Sequence, residues 1–266
     1  MTNSKKHTLH VMLLEAFYWV ALGSYGAFIV TMITDFGYSA TVASVIMTVM
    51  SLVAFVVQPA TGYLCDNYLS QRTVFIALAV CSVPLCLLLQ TSMASLPLLV
   101  ATLFLLTITM RQMPGLIDSW ILRMQKDDPD LNYGSCRGTA SLMYATSALI
   151  MGGVTTAYGH HTRMIIAAVF MVGAAVVAFT LRETKPEKKA DASAPAPVQR
   201  TSTGETFKVM FQNKTYVLLL LMAFAIFLGI TSTETFLPTL VKDMGGDSGF
   251  VGTMFSVISY SEVPAF

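Results

Sequence analysis

Arg111 and Asp118 stand seven residues apart in one apolar run, Leu96–Trp120, with Pro114 and Gly115 between them. On a continuous helix that spacing aims both side chains the same way. Charges at membrane depth are costly and face a bundle interior or a water-filled cavity. The pair therefore marks a polar pathway, or else an arginine that snorkels to the headgroups and pairs only for structure. Pro114 lacks a backbone donor and leaves the Met110 carbonyl without its helical partner, which predicts a kink. Glu15 heads a second group, with Tyr18, Trp19, Leu22 and Tyr25 following at i+3, i+4, i+7 and i+10. That stripe suits a cavity wall or a proton-sensitive site; the plain alternative is an interfacial acid beside an aromatic belt. Glu262, just before Val263-Pro264, is a further carboxylate in an apolar run.

Other residue types carry less. The 17 methionines read as adaptable filler, and the four cysteines, Cys65, Cys81, Cys86 and Cys136, show no ligand spacing. No metal, cofactor or disulfide is expected. His160 and His161 fall in a short connection and read as solvated.

Elements that cross a bilayer must position these groups. Hydrophobic residues make up 55% of the 266 and charged residues 12%, against about a quarter charged in soluble domains. The class is all-α integral membrane protein, with the lipid bilayer as a partner and no basic face for nucleic acid. A span needs about 20 apolar residues. Seven runs qualify: Leu9–Ile33, Thr41–Leu64, Thr73–Leu89, Leu96–Trp120, Thr139–Tyr158, Met164–Leu181 and Thr215–Leu237, with an eighth cut short from Phe250. Residues 182–214, with Lys-Pro-Glu-Lys-Lys and Ala-Pro-Ala-Pro, read as a flexible linker. Cys65 and Cys136 are placed in loops, and Gly152-Gly153 and Gly173-Ala174-Ala175 in close helix contacts. Of 16 lysines and arginines, thirteen fall on the ends shared by the N-terminus and the linker. Only Arg163 and Lys242 fall opposite, and Arg111 lies within a span. That asymmetry puts the N-terminus and linker in the cytoplasm of a multi-pass, plasma-membrane protein. An integral membrane enzyme would need a metal or nucleophile constellation at one depth, and the sequence has none.

Six spans, a basic linker and a new set of spans resemble the layout of the major facilitator superfamily, whose two six-helix halves hold solute between them. The resemblance implies a complete first half over 1–181, a cytoplasmic linker over 182–214, and about two helices of the second half over 215–266. The chain thus reads as C-terminally truncated, and alone it is expected to insert without coupled uptake. After the second run, Gly62, Leu64, Asp66 and Arg72 resemble that superfamily's signature between helices two and three, with Asn67, Leu69 and Gln71 departing from it. The local logic is close helix approach at Gly62, a cap from Asp66 and a charge partner in Arg72. The implied role is a conformational latch.

A narrower resemblance is to lactose permease and its oligosaccharide and nucleoside proton-symporter relatives. It rests on Gln58-Pro59, Ile117-Asp118-Ser119-Trp120 and Tyr133-Gly134-Ser135-Cys136-Arg137-Gly138. It implies that Asp118 pairs with Arg137 and that both contact a sugar, with Tyr144 stacking on its ring. Arg111 and Glu15 join that solute-binding set, and Glu15 and Glu262 are the candidates for proton coupling. A structural ion pair and a packing tyrosine remain the alternative. The expected function is a monomeric secondary transporter of a small polar solute, sugar- or nucleoside-like, with protons as the coupling partner. A drug or amphiphile exporter of the same fold is the second reading, favoured by a carboxylate in an aromatic cavity. The charge count makes the first prediction: a tag inserted in the 182–214 linker is reached only from the cytoplasmic side, and one at His160 only from outside. A linker tag labelled on intact cells contradicts the orientation.

Overall fold

Helices follow the apolar runs, and their interruptions follow local chemistry. The computed structural model describes residues 3–183 and 209–265, so residues 184–208 of the expected linker lie outside the described residues. Helix α1 (Asn3–Tyr25) passes through a 3-10 turn at Gly26–Phe28 into α2 (Ile29–Asp35). Then come α3 (Ala40–Asn67), α4 (Gln71–Ser92), α5 (Leu96–Met110), α6 (Met113–Asp127), α7 (Tyr133–Thr180), α8 (Lys214–Asp243) and α9 (Ser248–Glu262). Ser39 and Ser70 cap α3 and α4, accepting from the Val42 and Thr73 backbone N–H groups at 3.2 Å each. Ser70 thus takes the capping role expected of Asp66, which still belongs to the last turn of α3.

The interruption near Pro114 falls at Arg111–Gln112, and Pro114 sits in the first turn of α6, where its missing donor costs nothing. The Met110 carbonyl accepts the Tyr18 hydroxyl at 3.0 Å. A break at membrane depth is tolerated when side chains satisfy the freed backbone, and here α1 supplies the donor. Because α5 and α6 are separate helices, the seven-residue spacing of Arg111 and Asp118 no longer sets a common face. Arg111 is exposed and Asp118 half-buried.

As one straight rod the 48 residues of α7 would extend ~72 Å, more than twice the ~30 Å hydrocarbon core. Gly159, at φ 77° and ψ 177°, leaves the helical region and divides α7 into arms 133–158 and 160–180. A side chain is disfavoured at that φ. The first arm runs alongside α1, with Ser147 donating to the Val20 carbonyl at 2.9 Å and His160, just past the break, meeting Asp35. The second arm runs back, bringing Arg163 to Ser24 and Phe170 to Phe17. Helix α1 lies between them and is buried accordingly, with Val11, Leu14, Tyr18 and Ala21 in the main core.

Helix α9 packs antiparallel on the first arm of α7. Thr156 meets Asp247, Ser256 donates to the Ala145 carbonyl at 2.7 Å, and Ser141 donates to Glu262. A Cβ on Gly252 would collide with the Ala148 carbonyl, and one on Gly152 would lie 2.8 Å from the Ser248 carbonyl. Only glycine permits this approach. Gly173 likewise packs against the Phe17 ring, whereas a Cβ on Gly153 or Gly62 would meet nothing within 4 Å. The close approach expected at Gly62 is therefore not made among the described residues.

The chain divides into two compact units, residues 1–186 with 238–266, and residues 187–237. In the second unit, the described part of α8 exposes apolar side chains from Leu218 to Ile230. Among the described residues six segments are long and apolar enough to cross a membrane: Lys5–Asp35, Ala40–Asn67, Gln71–Ser92, Leu96–Asp127, Tyr133–Thr180 and Lys214–Asp243. Seven full runs appear at the level of sequence because the two arms of α7 are separate there. All four cysteines are free, and Cys65 and Cys136, expected in loops, are buried in α3 and α7.

The Tyr18–Met110 contact makes a prediction. Hydrogen bonds inside membrane bundles contribute roughly 0.6–1.7 kcal/mol, and a carbonyl left buried and unpaired costs roughly 1–3 kcal/mol. Tyr18→Phe should lower unfolding free energy in mixed micelles by about 1–2 kcal/mol with insertion unchanged. Parental stability would mean that another donor reaches Met110.

Candidate functional site

Glu15 is turned inward: it is 1% exposed. Trp19, one turn later, donates its indole N–H to Glu15 Oε2 at 2.7 Å. The second carboxyl oxygen, Oε1, is buried with no hydrogen-bond partner among the described residues. Burial without a partner is costly for a polar atom. Tyr18 and Tyr25 are buried, and Trp19 and Leu22 half-buried, so the aromatic stripe is a packed wall rather than an interfacial belt.

The first arm of α7 brings the rest. Arg137 places its guanidinium 5.0 Å from the centre of the Trp19 ring, and Tyr144 meets the same ring edge-on at 5.9 Å. An arginine over an indole contributes roughly 0.5–2 kcal/mol and fixes the plane of the ring. Asp118 accepts from the Tyr133 hydroxyl at 3.1 Å. Asp118 and Arg137 both act electrostatically on Glu15. Asp118, bound to Tyr133, and Arg137, over Trp19, thus both belong to the surroundings of Glu15. One turn beyond Arg137, Ser141 donates to Glu262 Oε2 at 3.1 Å, and Thr146 and Tyr260 share a hydrogen bond at 2.9 Å. Glu262 thus arrives beside the same stretch of α7. Arg111 stands apart at the α5–α6 break, its charge felt by Tyr18 and Tyr25.

The arrangement can accept hydroxyl or amide donors at Asp118 and Glu262, donate from Arg137, and offer ring faces at Trp19 and Tyr144. Among the described residues, Glu15 is the buried carboxyl with an idle oxygen. Among the described residues no group of three His, Cys, Asp or Glu is placed to hold a metal ion.

At the end carrying the basic loops, Asp66 forms an ion pair with Arg123, and Arg72 donates to the Phe179 carbonyl at 2.7 Å while lying 5.9 Å from the Phe179 ring. Gln71, in the signature as a departure, donates to Ser119 at 2.8 Å. Asp66 and Arg72 therefore tie α3 to α6 and α4 to the end of α7, while Gly62 takes no part.

Sequence reasoning missed a cluster at the opposite end. Arg163, counted as a loop charge, is fully buried. His160, expected in solvent, binds Asp35 at 2.9 Å and Arg163 at 2.6 Å. Both are displaced from solvent because α7 turns at one glycine rather than through a loop. Tyr133, quoted within a motif but given no role, and Ser141 were also missed; their spacing from Arg137 hinted at a shared face.

Residues 11–264 match the model of the Major Facilitator Superfamily. The chain belongs to that superfamily. Its members are transporters, not enzymes, and the chain is accordingly an all-helical, multi-pass membrane protein of the major facilitator fold. No curated protein matches the sequence. Among solved structures the fold is similar to the crystal structure of the nucleoside transporter NupG, with a TM-score of 0.71 at 15% identity. A point mutant of that transporter gives 0.74 at 13% identity. Each comparison covers 96% of this chain and 64% of the transporter, so the chain spans less than two thirds of its neighbour's length.

In this superfamily member the stability of Glu15 variants separates a working carboxyl from a structural one. A neutral amide still accepts from Trp19 but has no charged form to desolvate, so Glu15→Gln should raise the unfolding temperature by ~2–4 °C, about 1 kcal/mol for a chain of this size. A fall of similar size would make Glu15 a structural anchor.

Proposed function

We propose that the protein works as a secondary transporter of a small polar solute, nucleoside-like or sugar-like, by alternating access with proton coupling. The observation that carries this reading is the buried Glu15 carboxyl, with one oxygen unpartnered among the described residues, set beside Trp19, Arg137 and Tyr144. A nucleoside offers a flat ring to stack on Trp19 and Tyr144, and sugar hydroxyls to meet Asp118, Arg137 and Glu262. The similar fold of a nucleoside transporter favours that solute class over a simple sugar. Glu15 takes and loses the coupling proton, Glu262 assists from α9, and Arg111 supplies the positive field at the kinked helix. Asp66 and Arg72 serve as the latch that yields when the bundle rocks, with Gly62 beside them.

The domain assignment belongs to the same reading: 1–181 as one six-helix half, 182–214 as a cytoplasmic linker, and 215–266 as the opening of the second half. Residence in the plasma membrane as a monomer, N-terminus inside, completes it. The exporter reading has one observation in its favour, the ring-lined setting of Glu15 by Tyr18 and Trp19.

The chain has two tryptophans, so Trp120→Phe leaves Trp19 as the sole reporter in the site. Uridine should change Trp19 fluorescence saturably, and Asp118→Asn or Arg137→Gln should weaken that binding at least about tenfold, 1.4 kcal/mol. Arg137→Lys should not restore it, since an ammonium lacks the planar face and fork. A response to cationic amphiphiles but to no nucleoside or sugar would overturn the polar-solute reading in favour of export.

A further inference from the structure

We propose that Asp35, His160 and Lys242 form a clamp that closes the end of the bundle opposite the basic loops, and that Arg163 is the buried residue that positions it. The clamp joins three elements distant in sequence. Lys242, in the last turn of α8, donates to Asp35 Oδ1 at 2.7 Å. The other oxygen of Asp35, at the end of α2, binds His160 Nε2 at 2.9 Å. Arg163 reaches His160 Nδ1 at 2.6 Å. A guanidinium only donates, so Nδ1 is the acceptor and Nε2 carries the proton given to Asp35. The tautomer and ring orientation of His160 are thereby set from below.

Arg163 has a second task. It donates to the Ser24 carbonyl at 3.0 Å, and its guanidinium lies 4.7 Å from the Phe28 ring centre. Ser24 precedes the 3-10 turn at Gly26–Phe28, where α1 loses its regular bonds, and Phe28 ends it. One fully buried arginine thus grips the broken segment of the Glu15 helix and, through His160 and Asp35, the end of α8. Movement of α8 away from Asp35 is transmitted along this chain to α1.

The burial pattern suits a part that opens. The Asp35 and Lys242 side chains are 35% and 48% exposed, so their attraction is weakened by solvent and can be broken. Arg163, at 0% exposure, is the fixed member. Asp35, His160 and Lys242 also line a cavity of about 280 Å³, together with Thr31, Thr155, Thr156 and Asp247. Opening the clamp would give water access to Thr31.

The clamp rests on the alternating-access reading, but its test needs neither solute nor a proton gradient, so failure of solute binding leaves it testable. Thr31→Cys is introduced with Cys81→Ser, and its rate of reaction with a membrane-impermeant methanethiosulfonate is measured in the full chain. Lys242→Met should raise that rate roughly fivefold or more by shifting the population towards the open state. Lys242→Arg, which keeps the ion pair, should leave it near the parent. Cys86, buried in the core, must stay unlabelled as the check on folding. If Lys242→Met exposes Cys86, Asp35→Asn, nearly isosteric, reads the same rate. An unchanged Thr31→Cys rate in the well-folded neutral variant overturns the clamp.

Discussion

The hydrogen bond from Tyr18 to the Met110 carbonyl carries more of this structure than its modest energy suggests. A bilayer offers no water to a freed backbone group, so each break in a spanning helix must be met by another part of the protein. Tyr18 meets the break between α5 and α6, and Arg163 meets the one after Tyr25 by donating to Ser24. Both donors link α1 to a neighbour. Once Tyr18 is fixed against Met110, Glu15 one turn earlier and Trp19 beside it are fixed as well. The site geometry is therefore a consequence of how the breaks are satisfied.

Against that rule of satisfaction, Glu15 Oε1 is an exception, buried without a partner among the described residues. The carboxyl has rings and charges around it but, among the described residues, one donor, Trp19. An idle acceptor of this kind is costly for a structural residue and useful for one that gains and loses a proton or meets a solute. The ends of the bundle show the complementary arrangement, with their charges paired: Asp66 with Arg123 at one end, Asp35 with Lys242 and His160 at the other. Paired ends around a carboxyl with one idle oxygen are what a carrier needs if its ends open in turn.

Much of this was legible from residues alone. The apolar runs located the helices, Pro114 marked the interrupted one, and Glu15 with Tyr18 and Trp19 named the face that turned out to be buried. Local periodicity carries those facts because helix faces repeat every 3.6 residues. What was hidden depended on chain reversal or on long-range partners. Arg163 looked like a loop charge because nothing nearby showed that α7 would turn at Gly159 alone, and its partner Ser24 lies 139 residues away. Periodicity also failed where the helix did, so Arg111 and Asp118 could not share a face. Ser70 rather than Asp66 became the cap through a difference of one turn in where α3 ends. The link from Asp118 to Tyr133 needed the geometry of two helices meeting, which no spacing encodes.

The central claim is that Glu15 exchanges a proton in step with solute. Binding and protonation at one site must be reciprocally linked, so uridine added to the protein in weakly buffered detergent solution should exchange about one proton per solute bound, read by a pH indicator. Glu15→Gln should bind uridine with no proton exchanged. Equal proton exchange in the parent and in Glu15→Gln would contradict the account.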